Sequence, residues 1–263
     1  MLLSANWLPF MDRSAHPMLG VIWVNMTAYL PALAVALVAQ AAFPAVRRRA
    51  KILTYEMWVD VMHVLFNFVF FLTFLGVGVF AIKSWMIENS PVFMAWASDW
   101  HFLLQMLLAL WMFDFLVYWR HRLSHELKVI WPVHAVHHIS RRVDVLTTHR
   151  LHFLEVMAGG IVASWAVACS GLKPEPLALA FMIYLEYNHF IHANVRVRYA
   201  GWLKYVFVSP FMHRWHHALE QEAHGRNYAV VFSFHDWLFG TALHPAHEPE
   251  GYGVDFPEHE QVD

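Results

Sequence analysis

Five stretches of this chain are long apolar runs, and the polar residues crowd into the gaps between and after them. Val21–Phe43 and Val61–Ile82 carry no Asp, Glu, Lys or Arg, and Trp100–Trp119 carries only Asp114. At about 1.5 Å per residue, each is long enough to cross a hydrocarbon layer of roughly 30 Å. Val156–Leu172 and Leu177–Ala193, 17 residues each, stand at the lower limit for spanning. Lys173-Pro174-Glu175-Pro176 joins them, so they either cross as a tight hairpin or dip in and return. Trp202–Phe211 is aromatic and contains Lys204, a pattern that predicts a helix lying in the interface.

Charge gives these elements a direction. Arg47, Arg48, Arg49 and Lys51 follow the first run, whereas Arg13 alone precedes it. A cleaved leader has its basic residues in front of a shorter apolar stretch, so the first run reads as a retained helix. The basic cluster places the 44–60 loop in the cytoplasm. Two further crossings then return the chain to the cytoplasmic side at Arg120, and both outcomes for the 156–193 pair leave His189 and His192 on that side.

Composition agrees with a membrane protein: 59% of residues are apolar, 16% aromatic and only 14% charged. A net charge of −2 offers no field that would gather nucleic acid. The single cysteine, Cys169, excludes an internal disulfide and a cysteine-rich zinc site, and reads as a small buried apolar side chain. The expected architecture is an all-α integral membrane bundle, with about four spanning or hairpin helices, added interfacial helices and a histidine-rich cap facing the cytoplasm. Residues 1–104 form the N-terminal membrane part, 105–245 the catalytic part and 246–263 an acidic, flexible tail rich in Pro and Gly.

The chemistry is carried by histidine. Twelve of the 20 lie between His121 and His217. Positions i, i+3 and i+4 share a helix face. His121 and His125 make one such pair, and His134, His137, His138 and His213, His216, His217 make two identical HxxHH triplets, with Pro132 separating the first two motifs. Chance at this composition would produce HxxHH only about 0.1 times. Neutral imidazole is a common metal ligand, and eight of them exceed the four that close a structural zinc site. They suffice for two ions with positions left open, and a redox pair of irons is the economical reading, although imidazole suits zinc as well. A carboxylate-bridged di-iron bundle would need two Glu-x-x-His motifs, and only Glu186–His189 matches, which leaves Glu186 as a supporting carboxylate. Asp114 lies two helical turns before His121, inside an apolar run where a charge is costly. It reads either as the acceptor of a ligand's imidazole N–H or as the partner of an Arg in the bundle.

The strings YWRHRLSH, HAVHH and RLHFLE, then HAN at 192–194, PFMHRWHH at 210–217, NY at 227–228 and LFGT at 238–241, resemble the fatty acid hydroxylase and sterol desaturase superfamily, over about residues 105–245. These are membrane di-iron enzymes that use O2 and two electrons to hydroxylate or desaturate lipids, or to cleave ether lipids by hydroxylation. The resemblance implies iron ligands at His121, His125, His134, His137, His138, His213, His216 and His217, with His192 as a ninth. In the R-x-H-x-x-E element it adds His152 as a further ligand beside Arg150 and Glu155, the latter as a supporting carboxylate. His235 stands where the family usually has Trp, and Ala229 where many relatives have Gly after Asn-Tyr; His235 is expected to pack or face the surface. His149 and His189 read as polar neighbours, and His16, His63, His101, His224, His244, His247 and His259 as ordinary surface or bundle residues.

These expectations combine into a membrane oxygenase with two non-haem iron ions, O2 as co-substrate and a lipid as substrate. The chain contains no flavin or nicotinamide fingerprint, so electrons come from a separate donor such as a ferredoxin or a b-type cytochrome. Asn227-Tyr228 and Asp236–Thr241 are expected to cap the site. The competing class is a histidine-rich membrane metal-binding or metal-transport protein, which predicts histidines at midplane depth; here they gather past the ends of the runs.

Overall fold

The structure, a computed structural model, describes residues 34–45, 55–70, 85, 89 and 95–254. Among these the fold is all helical, with two isolated bridges and no strand. The α-helices described at length follow in order: α1 (34–42), α2 (Tyr55–Phe70), α3 (Phe102–Glu126), α4 (Trp131–His138), α5 (Phe153–Ser170), α6 (Pro174–His192), α7 (Pro210–His216) and α8 (Phe234–Leu238). Most of Val21–Phe43, the basic cluster at 47–51 and the second half of Val61–Ile82 lie outside the described residues.

Two described helices, α3 and α5, are long and apolar enough to cross a membrane. Both carry large apolar side chains on their exposed faces as well as on their buried ones. On α3, Phe102, Leu103, Leu104, Leu107 and Trp111 point outward, while Met106, Ala109, Leu110 and Phe113 face the bundle. With 25 residues, about 37 Å, α3 is longer than a hydrocarbon layer of roughly 30 Å, and its last turns carry His121 and His125. The run expected to stop at Trp119 therefore continues as one helix that carries the HxxxH pair rigidly.

Helix α2 also has an exposed apolar face. Tyr55, Trp58, Met62, Leu65 and Phe66 are exposed, whereas Asp60 is fully buried. Arg150 donates to Asp60 and to the Glu56 carbonyl, and Asn67 Nδ2 donates to the carbonyls of His149 and Leu151. The polar stripe of α2 thus holds the segment that follows α4.

Turn chemistry sets the remaining boundaries. α5 stops at Gly171, whose φ of +66° is a left-handed conformation open to glycine at little cost, and Pro174 opens α6. α6 packs most closely against α3, where Phe113 meets Phe181 edge-on with ring centroids 5.7 Å apart. Pro132 stands in the first turn of α4, as its sequence position suggests.

One expectation fails, and a second is corrected over residues 246–254. Trp202–Phe211 is not one interfacial helix: Leu203–Tyr205 forms a single 3₁₀ turn, and Pro210, which lacks an N–H, begins α7 behind the Ser209 cap. The tail is packed down as far as residue 254. Glu248 pairs with buried Arg214, Trp215 Nε1 donates to the His247 carbonyl, and Tyr252 is buried in a bridge to Ala218. Side chains as large as Phe211 and Trp215 are almost wholly enclosed there, each contributing about 1.5–3 kcal/mol or more.

Candidate metal centre

Nine histidines converge in two adjacent groups. His121, His125, His134, His138 and His216 form one, and His137, His192, His213 and His217 the other; in each, the candidate ligand atoms lie within 4.8 Å of one another. Helix geometry explains how three short motifs serve two groups. At 3.6 residues per turn, i+3 and i+4 share the face of i but fall on opposite sides of it, so i and i+4 can turn to one group while i+3 turns to its neighbour. α4 therefore directs His134 and His138 to the first group and His137 to the second. α7 does the reverse, directing His213 and His217 to the second and His216 to the first. α3 adds His121 and His125, α6 adds His192, and His138 stacks on His217 with centroids 4.4 Å apart where the groups meet.

The hydrogen bonds behind the rings determine which nitrogens are free. His121 Nδ1 donates to the Tyr228 carbonyl at 2.8 Å, His216 Nδ1 to the Arg226 carbonyl at 2.7 Å and His192 Nδ1 to the Asn188 carbonyl at 2.7 Å. His134 Nδ1 donates to Glu155 Oε1 at 2.8 Å, and that oxygen also accepts from Arg120 at 3.1 Å. An imidazole that donates through Nδ1 and remains neutral has a bare lone pair at Nε2. Yet Nε2 of His121 lies 3.1 Å from Nε2 of His134, and the buried Nε2 of His216 has no donor facing it. Two lone pairs at that distance repel, and a cation between them removes the repulsion. The donor set fits a metal bound by neutral imidazoles, with hydrogen-bonded partners fixing each ring.

Burial favours the uncharged form. It pushes His137 down to about 4 and His216 down to about 3, and holds His138, His213 and His217 well below the ordinary histidine range, with neighbouring imidazoles adding to the effect for these three. All five are neutral at pH 7 and available as ligands.

The loop after α7 closes the centre. Asn227, at φ +59°, donates to the carbonyls of Met212 and Leu243. Asp236 accepts from the backbone N–H of Tyr228 at 2.8 Å and of Ala229 at 3.1 Å, and from Thr241 Oγ1. Burial raises the Asp236 carboxyl to about 6, against these hydrogen bonds. This clamp aims the Tyr228 carbonyl at His121.

Three expected site residues, Asp114, His152 and Glu186, lie outside both histidine groups. Asp114 touches no histidine of either group and no Arg; its carboxylate accepts from the N–H groups of Val230, Val231 and Phe232 and from His235 Nδ1. It supports the closing loop. His152 caps the start of α5 by accepting from Leu154 N, outside both groups. Glu186 meets His189, itself beside His149 and also outside both groups. His235, expected to pack or face the surface, packs: it is buried among Phe115, Tyr118 and Phe234. Conversely, Arg120 and the carbonyls of Arg226 and Tyr228 had no sequence signal beyond proximity to a histidine motif.

A cavity of about 280 Å³ reaches the centre between α3, α5 and α6, ending on His121, His134, His137, His192 and His213.

The chain matches the fatty acid hydroxylase family over residues 106–241. It is 31% identical over 151 residues to an ornithine lipid hydroxylase of Rhizobium tropici, covering 57% of this chain and 45% of that protein. It is 29% identical over 171 residues to the human alkylglycerol monooxygenase, covering 65% and 37%. With a methylsterol monooxygenase of Arabidopsis thaliana it shares 25% identity over 209 residues, covering 73% and 70%. The chain thus spans less than half the length of the first two relatives. No solved structure matches it.

Proposed function

Because the chain belongs to the fatty acid hydroxylase family, we propose that it is a multi-pass membrane oxygenase whose two histidine groups hold two iron ions and which oxidises a C–H bond of a lipid. In the hydroxylating form the reaction consumes the lipid, O2, two electrons and two protons, and yields the hydroxylated lipid and water. Bound iron would supply the O2 activation that no side chain can provide. The observation that carries the reading is the pairing of bare Nε2 atoms at 3.1 Å beside a cavity that opens between apolar helices.

The protein's own contribution is positional. Glu155 holds His134 in the tautomer that frees Nε2, and the carbonyls of Tyr228, Arg226 and Asn188 do the same for His121, His216 and His192. Apolar side chains such as Phe113, Leu116 and Val230 line the approach and keep water from the reacting carbon. Electrons arrive from a separate protein, a ferredoxin or a b-type cytochrome, at the cytoplasmic cap. That sidedness rests on the basic cluster at 47–51 and on a count of four spanning or hairpin helices.

The test compares lipid extracts of cells with and without the gene under 18O2. A lipid carrying one labelled oxygen only when the gene is present supports the reading. Iron-replete protein that leaves every lipid unlabelled and undesaturated overturns it.

A further inference from the structure

Cavity and protein surface meet the histidines on different sides. The cavity ends on His121, His134, His137, His192 and His213. His125 and His138 of the first group do not line it, and against these two stands the indole of Trp131, its ring centroid 5.1 Å from His125, 5.7 Å from His138 and 6.3 Å from His134. Among the described residues, Trp131 and Tyr228 are the aromatic side chains other than histidine whose rings touch the nine, and both touch the first group alone. Tyr228 is enclosed, whereas Trp131 is half-buried and so reaches from the ligand rings to the surface.

The turn that sets Trp131 there is firmly held. Leu127 ends α3, and its carbonyl accepts from the N–H groups of Ile130 and Trp131, both at 2.9 Å, so Trp131 stands at the joint between the helix of His125 and the helix of His134 and His138. Leu127, Val129 and Ile130 are nonetheless exposed, Val129 by 84%. The end of α3 lies about 10 Å along the helix past Trp119, where its apolar run stops. Apolar side chains gathered in one exposed turn beyond that run mark a protein contact. Arg122 pairs with Glu126 at 2.7 Å, which leaves Lys128, among the described residues, as the unpaired charge of the turn. An apolar knob with one free cation suits a partner whose own contact face has an acidic rim.

Electron transfer weakens steeply with distance, and a conjugated ring in contact with the ligands narrows the gap that a docked carrier leaves. We propose that the Leu127–Ile130 turn is the docking face of an acidic one-electron carrier protein and that Trp131 carries its electrons to the first histidine group. This rests on the oxygenase reading, which requires two electrons per turnover. In each encounter the carrier loses one electron and bound ferric iron gains it, so two encounters supply the pair; the indole is neither oxidised nor reduced, and no proton or bond is exchanged at it. Substrate and reductant then reach the centre from different sides.

The experiment uses the iron-loaded full chain in lipid nanodiscs, mixed without oxygen with a reduced plant-type ferredoxin or a reduced soluble b-type cytochrome, and follows the carrier's own absorbance as it is reoxidised. Val129→Glu alters a side chain that meets solvent, so folding and iron content are retained; the carrier concentration that gives half the maximal rate should rise about tenfold, with the maximal rate unchanged. Trp131→Leu should lower the maximal rate about tenfold at the same half-saturation, and Trp131→Phe, which keeps a ring, should restore most of it. Val129→Glu reduced at wild-type carrier concentrations, or iron-bearing Trp131→Leu reduced at the wild-type maximal rate, overturns the proposal, as does a wild type that neither carrier reduces. If Trp131→Leu loses its iron, the Val129→Glu result decides. Carrier binding that is weakened by Val129→Glu in a protein that takes up no iron upholds the docking face and contradicts the oxygenase reading instead.

Discussion

His121 and His134 face each other through Nε2 atoms 3.1 Å apart while each donates its Nδ1 hydrogen to a different oxygen. A neutral imidazole has one hydrogen to give, so the fold holds two bare lone pairs together and a bound cation would relieve their repulsion. Metal binding is then also a source of stability. Removing iron with a chelator should lower the melting temperature of the folded protein and restoring it should reverse the change, by about 4 kcal/mol when free metal exceeds its dissociation constant a thousandfold. A melting temperature indifferent to chelation contradicts this reading of the pair.

Glu155 is the residue through which His134 is oriented, and Arg120 shares its oxygen. Glu155→Gln keeps the shape and removes the charge, so metal affinity or turnover should fall about 10–100-fold. Iron titration of the variant beside wild type checks this; equal affinity and equal turnover would leave Glu155 a packing residue.

Asp114→Asn should act on the fold before it acts on the metal. The carboxylate serves three backbone N–H groups and His235, and an amide presents one oxygen where two accept now. Each buried donor left without an acceptor costs about 1–3 kcal/mol. Thermal melts should show the loss even in the metal-free protein; a variant that melts like wild type but binds less iron would place Asp114 at the centre after all.

The pH dependence follows from the depressed histidines. His137 and His216 titrate at about 4 and about 3 in the folded chain, below their ordinary range near 6.5. Between those values the unfolded chain binds more protons than the folded one, so folding is undisturbed above about pH 6.5 and weakens as pH falls toward 4. Metal needs the same neutral rings, hence iron and folded structure should be lost together in that window. Full iron occupancy below pH 3.5, or loss of iron above pH 7, would require a different set of ligands.

The nine gathered histidines were legible in the sequence because a helix converts i, i+3 and i+4 directly into faces, and the family resemblance supplied His192. The breaks between helices were legible at Pro132 and Pro174, whereas Gly171, which ends α5, lay inside the run read as Val156–Leu172. Asp114 was legible as a buried charge with a purpose, but its partners lie more than a hundred residues away along the chain, and no local pattern encodes such a pairing. His152 shares the spacing of a ligand motif, yet the chain turns there to start α5 and its ring caps the helix instead. The polar face of α2 was obscured because its residues Glu56, Asp60 and Asn67 resemble a solvated stripe until Arg150 and the carbonyls of His149 and Leu151 are seen against it.

The central claim, that the two histidine groups are two metal sites, is tested most directly by anomalous X-ray diffraction at the iron edge from crystals of the iron-loaded full chain. Two peaks should appear, one among His121, His125, His134, His138 and His216 and the other among His137, His192, His213 and His217. A single peak, or peaks that lie away from these rings, would contradict it.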